Sequence, residues 1–541
     1  MTGAAQMSEP VGNKTFVRVD YRYLREMEKK CPVRAASEVR RAIAPSAGSG
    51  AKRTAKPQSA KSAVGKVLGH IEFDGLQEAA AIRRWRERTE PDPALERWVT
   101  HAVHQVLAAE TRLGETREVQ PVSRMWARQR RRAGEETYEE TVLGRGYEGG
   151  GIRELRVLHT GSVAPVAASD FPRVLSPPEI AFAAGVLAGA SPVLGGRWDD
   201  HSPYRLGGFV APRRVRVVEI GCIDGSVRVA FDGTREEAMD RYEEVTDLLA
   251  ELLAGGEHRP GSGCAYCPLV ASCPAVPSVP GLLGVTGDTR RRWSVTSGRE
   301  HDKCPERTRL GALFLPRDRV AEDNDAARRG RAVHEWIEKQ HDRLPHRSCL
   351  AEELPASPDR WAADWAGAEG REQRMAVQMI GDHAVVCPLG GLPDDAPADS
   401  ESYVVAFDPV ADAVVVAKTD LLYRDSAGWV VRETKTARTP QTGDLFRAYP
   451  QLALAVLLSD AGVLAEDGVP LRVELEELTG AGPVFTGLDT AGAGVLAAAR
   501  QAVKSLAEPM FTDSQAPANP GRACQDCGFT RWCPAAQKAA A

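Results

Sequence analysis

The feature that most constrains the fold is a cysteine frame that occurs twice. The segment "CAYCPLVASCPA" begins at Cys264, and "CQDCGFTRWCPA" begins 260 residues later at Cys524, so both have the spacing Cys-x2-Cys-x5-Cys-Pro-Ala. Each triplet follows a strand-like piece, "VAFDG" from Val229 or "PVFTG" from Pro483, and then a helical segment. This repetition predicts a chain of two halves that are built alike.

A closed site of thiolates usually needs four cysteines. Each half opens with one cysteine followed by proline, at Cys31 and Cys304, which supplies the missing ligand. Two four-cysteine sites are therefore predicted: Cys31, Cys264, Cys267 and Cys273 in the first half, and Cys304, Cys524, Cys527 and Cys533 in the second. The remaining cysteines, Cys222, Cys349 and Cys387, are predicted to be ordinary small buried residues.

Length and composition set the class of protein. A chain of 541 residues predicts two or more domains. No apolar run reaches 18 residues, and the N-terminus has no apolar segment typical of a secretory signal, so we expect a cytoplasmic protein with no membrane contact. In that compartment clustered cysteines bind metal more often than they form disulfides. The net charge of −5 gives no global nucleic-acid signature, and no phosphate-loop motif predicts an ATPase.

A stretch rich in proline and glycine from Pro274 predicts a linker. The predicted domains are residues 1–280 and 293–541, joined by residues 281–292.

The chemistry is predicted to lie in residues 412–440, "DAVVVAKTDLLYRDSAGWVVRETKTARTP". The pattern predicts a hairpin of one strand "AVVVAKTDLLY", a turn at "RDSAG" and a second strand "WVVRETKT". Side chains alternate along a strand, so Glu433 and Lys435 share one face, and Asp420 on the partner strand can join them. Two carboxylates and a lysine suit phosphodiester hydrolysis with Mg²⁺ or Mn²⁺. The alternative is a set of exposed charges paired across the end of a hairpin.

Two predicted helices flank this hairpin. "RRGRAVHEWIEKQH" carries His334, which can bind a metal, although a lone helical histidine is usually structural. "FRAYPQLALAVLL" carries Tyr449 and Gln451 on an otherwise apolar segment.

The order Cys-Pro, Gly-x3-His, Asp, Glu-x-Lys, helical Gln, cysteine triplet resembles the RecB-like branch of the PD-(D/E)XK nuclease superfamily. More narrowly, it is similar to the iron-sulfur members, the AddB nuclease domain and the exonucleases of CRISPR adaptation, over roughly residues 290–541. The resemblance implies an α/β domain whose mixed central sheet is flanked by helices and closed by a 4Fe-4S cluster on the four cysteines. It also implies metal ligands His334, Asp420, Glu433 and the Thr434 carbonyl, a catalytic Lys435, and a Gln451 that contacts DNA or water. Where the family often has a tyrosine, this chain has Ala455, and Tyr449 is a candidate substitute.

Laid over the second half, the first half places Glu154 and Arg156 at the Glu-x-Lys positions. On the same overlay, the other counterparts are Thr141 with the adjacent Glu140 for Asp420, Glu179 for Gln451, and Gly65, Gly69 and His70 for the Gly-x3-His motif. Arginine is a poor proton-transfer group, so residues 1–280 are predicted to be a degenerate copy that keeps its own cluster. The alternative is an active site with unusual ligands.

The expected activity is metal-dependent DNA cleavage, most simply exonucleolytic on single strands or ends, in repair, recombination or phage defence. A rival hypothesis is a non-catalytic DNA-binding or scaffold subunit that serves a partner helicase or nuclease. The spacing of the cysteines leaves zinc open beside 4Fe-4S.

Overall fold

The computed structural model describes residues 16–40, 59–114, 119–131, 136–164, 174–197, 202–318, 324–353, 370–393, 396–464, 471–488, 490 and 492–536. Most of the N-terminal stretch on which the expectation of no secretory signal depends, residues 1–15, lies outside these ranges.

The first half contains a run of four helices after its first strand, followed by two groups of strands separated by a helix. Its helices are α1 (Pro32–Val39), α2 (Ala60–Glu72), α3 (Glu78–Thr89), α4 (Pro93–Leu113), α5 (Pro177–Gly189) and α6 (Arg235–Leu253). Its strands are β1 (Phe16–Asp20), β2 (Gln120–Val122), β3 (Trp126–Arg131), β4 (Thr137–Thr141), β5 (Arg145–Gly149), β6 (Ile152–His159), β7 (Ser191–Gly195), β8 (Arg205–Leu206), β9 (Arg214–Gly221) and β10 (Val227–Thr234).

The second half is built from a similar succession of elements. Its helices are α7 (Val295–Lys303), α8 (Pro305–Ala312), α9 (Asp325–His341), α10 (Arg371–Val386), α11 (Leu445–Ala448), α12 (Pro450–Asp460) and α13 (Ala493–Thr512). Its strands are β11 (Arg291–Trp293), β12 (Ala398–Ser400), β13 (Tyr403–Asp408), β14 (Ala413–Lys418), β15 (Leu421–Asp425), β16 (Gly428–Thr436), β17 (Leu471–Thr479) and β18 (Gly482–Leu488).

The sheets of the two halves have corresponding strand orders. The larger sheet is β2-β5-β6-β9-β10 in the first half and β12-β15-β16-β17-β18 in the second. In both, a hairpin leads into a parallel pair, β6 with β9 or β16 with β17, and an antiparallel strand follows. The second sheet contains β1-β4-β3 or β11-β14-β13, and β7 and β8 extend it in the first half only. The predicted mixed α/β fold is confirmed.

The parallel connection in the second half places the central strands in the core. Helix α12, "PQLALAVLLSD", is apolar over most of its circumference and is buried along nearly its whole length. It joins β16 and β17, since parallel neighbours need a crossover connection. Val431, Val473 and Leu475 of these strands belong to the same buried cluster as α12. The catalytic strand predicted from the sequence is therefore held by a buried sheet and helix.

Two predicted elements are interrupted in the structure. The single strand predicted from Ala413 to Tyr423 breaks at Thr419 and Asp420, and its two parts, β14 and β15, belong to different sheets. The backbone at the break bonds to a neighbouring loop: Thr419 N donates to Ser402 O over 2.9 Å. The predicted helix around Tyr449 is divided into α11 and α12, because proline at position 450 lacks the N–H that a continuous helix requires and instead begins a new helix.

The halves pack directly on each other. Trp532, beside the second cysteine triplet, meets Trp98 of α4 edge to face, with 5.1 Å between ring centroids. Near the first triplet, Val276 packs with Phe407 of β13.

The segment predicted as a linker, residues 281–292, is packed rather than extended between bodies. Leu283 is fully buried, and the N–H groups of Gly281 and Leu283 each donate to the Asp408 carboxylate over 2.9 Å. Among the described residues, no helix combines the length and the apolar character needed to cross a membrane.

Candidate active site and metal centres

Asp420 lies at the break between β14 and β15 and connects three elements. Its Oδ2 accepts a hydrogen bond from the backbone N–H of Thr434 in β16, at 2.8 Å. Its Oδ1 lies 3.7 Å from Nδ1 of His334 on α9. Because Asp420 stands outside both strands, its carboxylate can turn toward the helix as well as toward the sheet. The structure thus brings His334 and Asp420 together.

Glu433 and Lys435 share one face of β16. Lys435 Nζ forms an ion pair with Glu433, lies 3.5 Å from Asp420 Oδ2, and donates to the Thr434 carbonyl over 3.1 Å. The Thr434 hydroxyl points away and donates to Glu476 of β17 over 3.1 Å. Asp420, Glu433, Lys435 and the Thr434 carbonyl therefore converge on one side of the sheet.

The electrostatics of this cluster are set by burial. Glu433 is only 7% exposed, and burial, followed by the charge of Asp420, raises the pKa of its carboxyl from 4.5 to about 7. Burial opposes the charge on Lys435, but Glu433 and Asp420 outweigh it and raise the pKa of the ammonium group. Lys435 is consequently cationic at neutral pH, whereas Glu433 changes charge near it.

Glu401 is a site residue that the sequence reasoning missed. One donor atom from each of His334, Glu401 and Asp420 lies within 4.8 Å of the other two. Glu401 has φ of +52°, in the left-handed region that non-glycine residues seldom occupy. Its N–H donates to the Asp420 carbonyl over 3.2 Å, which brings the loop before β13 to the site. A lone glutamate in a loop carries no pattern that could have identified it.

The donor set fits a hard divalent cation. Carboxylate oxygens are the ligands that Mg²⁺ and Mn²⁺ prefer, and one imidazole is compatible with Mn²⁺. Adjacent ligands of an octahedral Mg²⁺ lie about 3 Å apart, so His334 Nδ1 and Asp420 Oδ1, now 3.7 Å apart, would approach each other by about 0.7 Å to bind one ion. His334, Glu401 and Asp420 could therefore hold the ion, with Glu433 and the Thr434 carbonyl beside them.

Helix α7 and the break between α11 and α12 contribute further residues to the candidate active site. The Tyr449 hydroxyl donates to Glu477 over 2.9 Å, so its hydrogen is already committed. Gln451 is partly exposed, and its buried Oε1 accepts no hydrogen bond from any described residue. Arg299, which sequence reasoning also missed, donates to the Ala448 carbonyl. Burial lowers the pKa of its guanidinium, and the nearby Tyr449 and Glu433 partly offset this by raising it.

The predicted cysteine sets each surround one small cavity. The first cavity is lined by Cys31, Cys264, Cys267 and Cys273, and the second by Cys304, Cys524, Cys527 and Cys533. All eight are free thiols. Backbone N–H groups point at sulfur in both sets, from Gly261 to Cys264 and from Asn519 to Cys304, each at 3.4 Å. Such N–H···S contacts suit metal-bound thiolates, so the residues fit a four-thiolate group.

The three other cysteines fall into two groups: Cys222 alone, and Cys349 with Cys387. Cys222 is buried and belongs to no cluster of metal-binding residues within the described ranges. Cys349 and Cys387 differ from the prediction that they are ordinary buried residues, because their sulfurs lie within 4.8 Å of one another and of two buried imidazoles, His341 and His383. The overlooked signal was His-x3-Cys at the end of a helix.

The structure corrects the correspondence proposed for the first half. Thr141 and Glu140 lie on β4, in a different sheet from β5 and β6. Glu179 acts in the capping box of α5 and pairs with Arg25 at 2.9 Å.

Both hairpins have two-residue turns, closed by Gly149 with Ile152 and by Asp425 with Gly428, and counting from these turns gives the register. By that count the counterparts of Asp420, Glu433 and Lys435 are Gly144, Val157 and His159. His70, which the overlay puts one residue after the histidine position of the Gly-x3-His motif, pairs with Asp74 over 2.7 Å.

Glu154 and Arg156 lie three residues earlier on β6 than the catalytic pair would. Arg156 donates to Glu154 over 2.6 Å and lies 3.4 Å from Glu110 of α4, and Arg216 donates to the other Glu154 oxygen over 3.0 Å. The carboxylates of Glu154 and Glu110 are therefore already paired with arginines. The first half therefore lacks, at these positions, the arrangement found around Glu433.

Comparison with known proteins agrees with this asymmetry. Residues 292–534 match a family model described as the PD-(D/E)XK nuclease superfamily, whose members are generally hydrolases that cleave DNA with divalent metals. A solved structure titled "Crystal structure of SSO0001" is 16% identical, covering 45% of this chain and 86% of that chain, but its TM-score of 0.23 is too low to support an argument. No curated protein matches the chain significantly. Residues 292–534 form a PD-(D/E)XK nuclease superfamily domain.

Proposed function

We propose that the second half is a Mg²⁺- or Mn²⁺-dependent deoxyribonuclease that hydrolyses phosphodiester bonds. The observation that carries this proposal is the convergence of Asp420, Glu433 and Lys435 beside His334. A set of exposed charges paired across a hairpin, the alternative left open by the sequence, would not bury Glu433 or recruit a helix. The proposal assigns His334, Glu401, Asp420, Glu433 and the Thr434 carbonyl to metal binding.

The bound cation supplies electrophilic activation of the phosphate and a lower pKa for a water molecule. The chain's own residues supply position and charge. Lys435, fixed by Glu433, Asp420 and the Thr434 carbonyl, presents a cation where negative charge develops on the phosphate. Arg299 adds a second cation on the α7 side, and Gln451 offers an unpaired amide oxygen to a water or a base.

The proposal extends to the whole chain. We infer a tandem duplication in which residues 1–280 are a degenerate copy, supported by the matching strand orders and by Gly144, Val157 and His159 at the catalytic positions. A 4Fe-4S cluster on each cysteine set would join the ends of each domain, in keeping with the RecB-like branch. Cleavage is proposed to be exonucleolytic on single strands or ends, in repair, recombination or defence, in the cytoplasm and beside a helicase or similar subunit.

The test uses full-length protein and end-labelled single-stranded and double-stranded DNA with Mg²⁺, Mn²⁺ or no metal. Lys435→Ala and Glu433→Gln are expected to lower the rate by at least about 100-fold, because each removes a group at the reacting phosphate. Glu335→Gln is the matched control: Glu335 lies next to His334 on α9 but is exposed and paired with Lys339. It should cut like the wild type.

Each outcome decides something. Equal cutting by wild type and both variants refutes the assigned site. DNA binding with no cutting by the wild type in either metal favours the scaffold alternative. A brown protein that loses in Cys524→Ser the share of colour and iron due to one of its two clusters supports the iron-sulfur assignment, whereas a colourless protein with zinc at these cysteines refutes it.

A further inference from the structure

A second set of metal-binding side chains lies behind the nuclease site. His341 ends α9, Cys349 follows in the loop, His383 lies near the end of α10, and Cys387 caps that helix. All four side chains are buried, with Cys349 and His383 exposed by 1% and 0%. Helix α9, the loop after it and α10 thus place two thiols and two imidazoles at one point in an otherwise apolar cluster.

The distances among these atoms match a tetrahedral centre. Nε2 of His341 lies 3.2 Å from Nε2 of His383 and 3.5 Å from Sγ of Cys387. With metal–nitrogen bonds of about 2.0–2.1 Å and metal–sulfur bonds of about 2.3 Å, tetrahedral edges are about 3.4 Å for two nitrogens and about 3.6 Å for nitrogen and sulfur. One donor atom from each of the four residues falls within 4.8 Å of every other.

The surroundings of the histidines also suit a metal. Nδ1 of His383 lies 2.9 Å from the Glu476 carboxylate, and both groups are buried. A carboxylate that accepts the Nδ1 hydrogen fixes the tautomer with a free lone pair on Nε2, which is the usual arrangement behind a histidine ligand of zinc. Without a metal, the two Nε2 atoms face each other at 3.2 Å and can share at most one satisfactory hydrogen bond when both rings are neutral.

We propose that His341, Cys349, His383 and Cys387 bind one structural zinc ion. Two thiolates and two imidazoles in a tetrahedral array are typical of zinc, and the set leaves no position open for a substrate. Coordination requires deprotonated sulfurs and unprotonated Nε2 atoms, so zinc uptake releases the corresponding protons to solvent. This site uses none of the eight cysteines of the cluster cavities and none of the ligands assigned to the nuclease metal, although His341 and His383 border the same small cavity as His334 and Asp420. The proposal does not depend on the proposed function.

The zinc would fix the helix that carries a nuclease ligand. His341 and His334 are seven residues apart on α9, about two turns, and so lie on one face. On the other side, Glu476 joins His383 to the hydroxyl of Thr434, between Glu433 and Lys435. The zinc therefore holds α9 and α10 at a fixed position relative to the catalytic strand.

Elemental analysis of the full-length protein tests the proposal. The double variant Cys349→Ser/Cys387→Ser is expected to contain one zinc atom per chain fewer than the wild type, with unchanged iron. Cys222→Ser, which changes a buried cysteine outside every cluster in the described residues, is the matched control and should keep the wild-type zinc content. Equal zinc in the double variant and the wild type overturns the proposal.

A second measurement does not require a variant to fold. Crystals of the wild-type chain, from cells grown with zinc in the medium, are measured on both sides of the zinc absorption edge. An anomalous peak within bonding distance of the four donor atoms supports the site; its absence, or a disulfide between Cys349 and Cys387, overturns it. Glu476→Gln should lose zinc to a competing chelator about 10–100-fold more readily than the wild type, because it removes the carboxylate behind His383.

Discussion

Replacing Glu433 by glutamine should change how the stability of the metal-free protein depends on pH. In the folded chain the pKa of Glu433 is about 7, and its ordinary value is 4.5. Between these values the folded state binds more protons than the unfolded state, so the free energy of unfolding falls as the pH rises. The stabilisation from protonated Glu433 is fully present below pH 4.5 and is lost as the pH passes through 7. A glutamine at this position has no such dependence.

The structure gives the size of the effect. A difference of 2.5 pKa units corresponds to about 3 kcal/mol, of which about 2 kcal/mol is lost between pH 5 and pH 7.5. Lys435 keeps its charge over this interval because its pKa is raised above an already high value. The melting temperature of Glu433→Gln, relative to that of the wild type, should therefore rise by roughly 4–8 °C between pH 5 and pH 7.5.

Thermal unfolding followed by circular dichroism, in buffers without added divalent cations, measures this difference in melting temperature at each pH. Glu335→Gln, an exposed change on the neighbouring helix, should show the wild-type profile. A constant difference between Glu433→Gln and the wild type across the interval would refute the reasoning that burial dominates this carboxyl. Adding Mn²⁺ should reverse the sign at pH 7.5, since the ion binds the ionised carboxylate of the wild type only.

Two further predictions concern packing. Gly185→Ala should destabilise the first half by about 1–3 kcal/mol, because an added Cβ would lie 2.1 Å from Tyr242. Gly161→Ala, which has open space around it, is the matched control, and equal denaturation midpoints for the two variants would contradict the packing argument. Trp532→Ala should cost about 3–5 kcal/mol by removing the ring packed on Trp98, seen as a lower unfolding midpoint; an unchanged midpoint would mean that the halves do not stabilise each other there.

Much of the candidate site could be predicted because it depends on local patterns. Alternation along one strand places Glu433 and Lys435 on one face whatever the rest of the chain does. The constant cysteine frame predicted that Cys31 and Cys304 would meet residues more than two hundred positions away. The register of the first half was predicted less well. The sequence comparison aligned its Glu-x-Arg motif with the Glu-x-Lys motif of the second half, which is three residues away from the alignment that the hairpin turns define.

Other features could not be derived from local patterns. Glu401 reaches the metal ligands only because a loop with a left-handed residue bonds to the break at Asp420. Arg299 and the buried set of two histidines and two cysteines come from helices that are adjacent in space and distant in sequence. The one local signal, His-x3-Cys at the end of α10, does not identify the two residues that join it, because these meet it only once the helices are packed.

The sequence by itself determined the repeated cysteine frame, which is read directly from the spacing, and the carboxylate and lysine on one strand, because alternation acts over a few residues. The α/β class followed from the resemblance to a known family. Only the tertiary structure decided where Asp420 turns out of its strand, how the segment from Pro274 packs onto the second half, and which cysteines meet histidines. Those outcomes depend on burial and on hydrogen bonds between distant backbone segments, such as the pair from Gly281 and Leu283 to Asp408. Contacts of this kind exist only once the helices and sheets have packed.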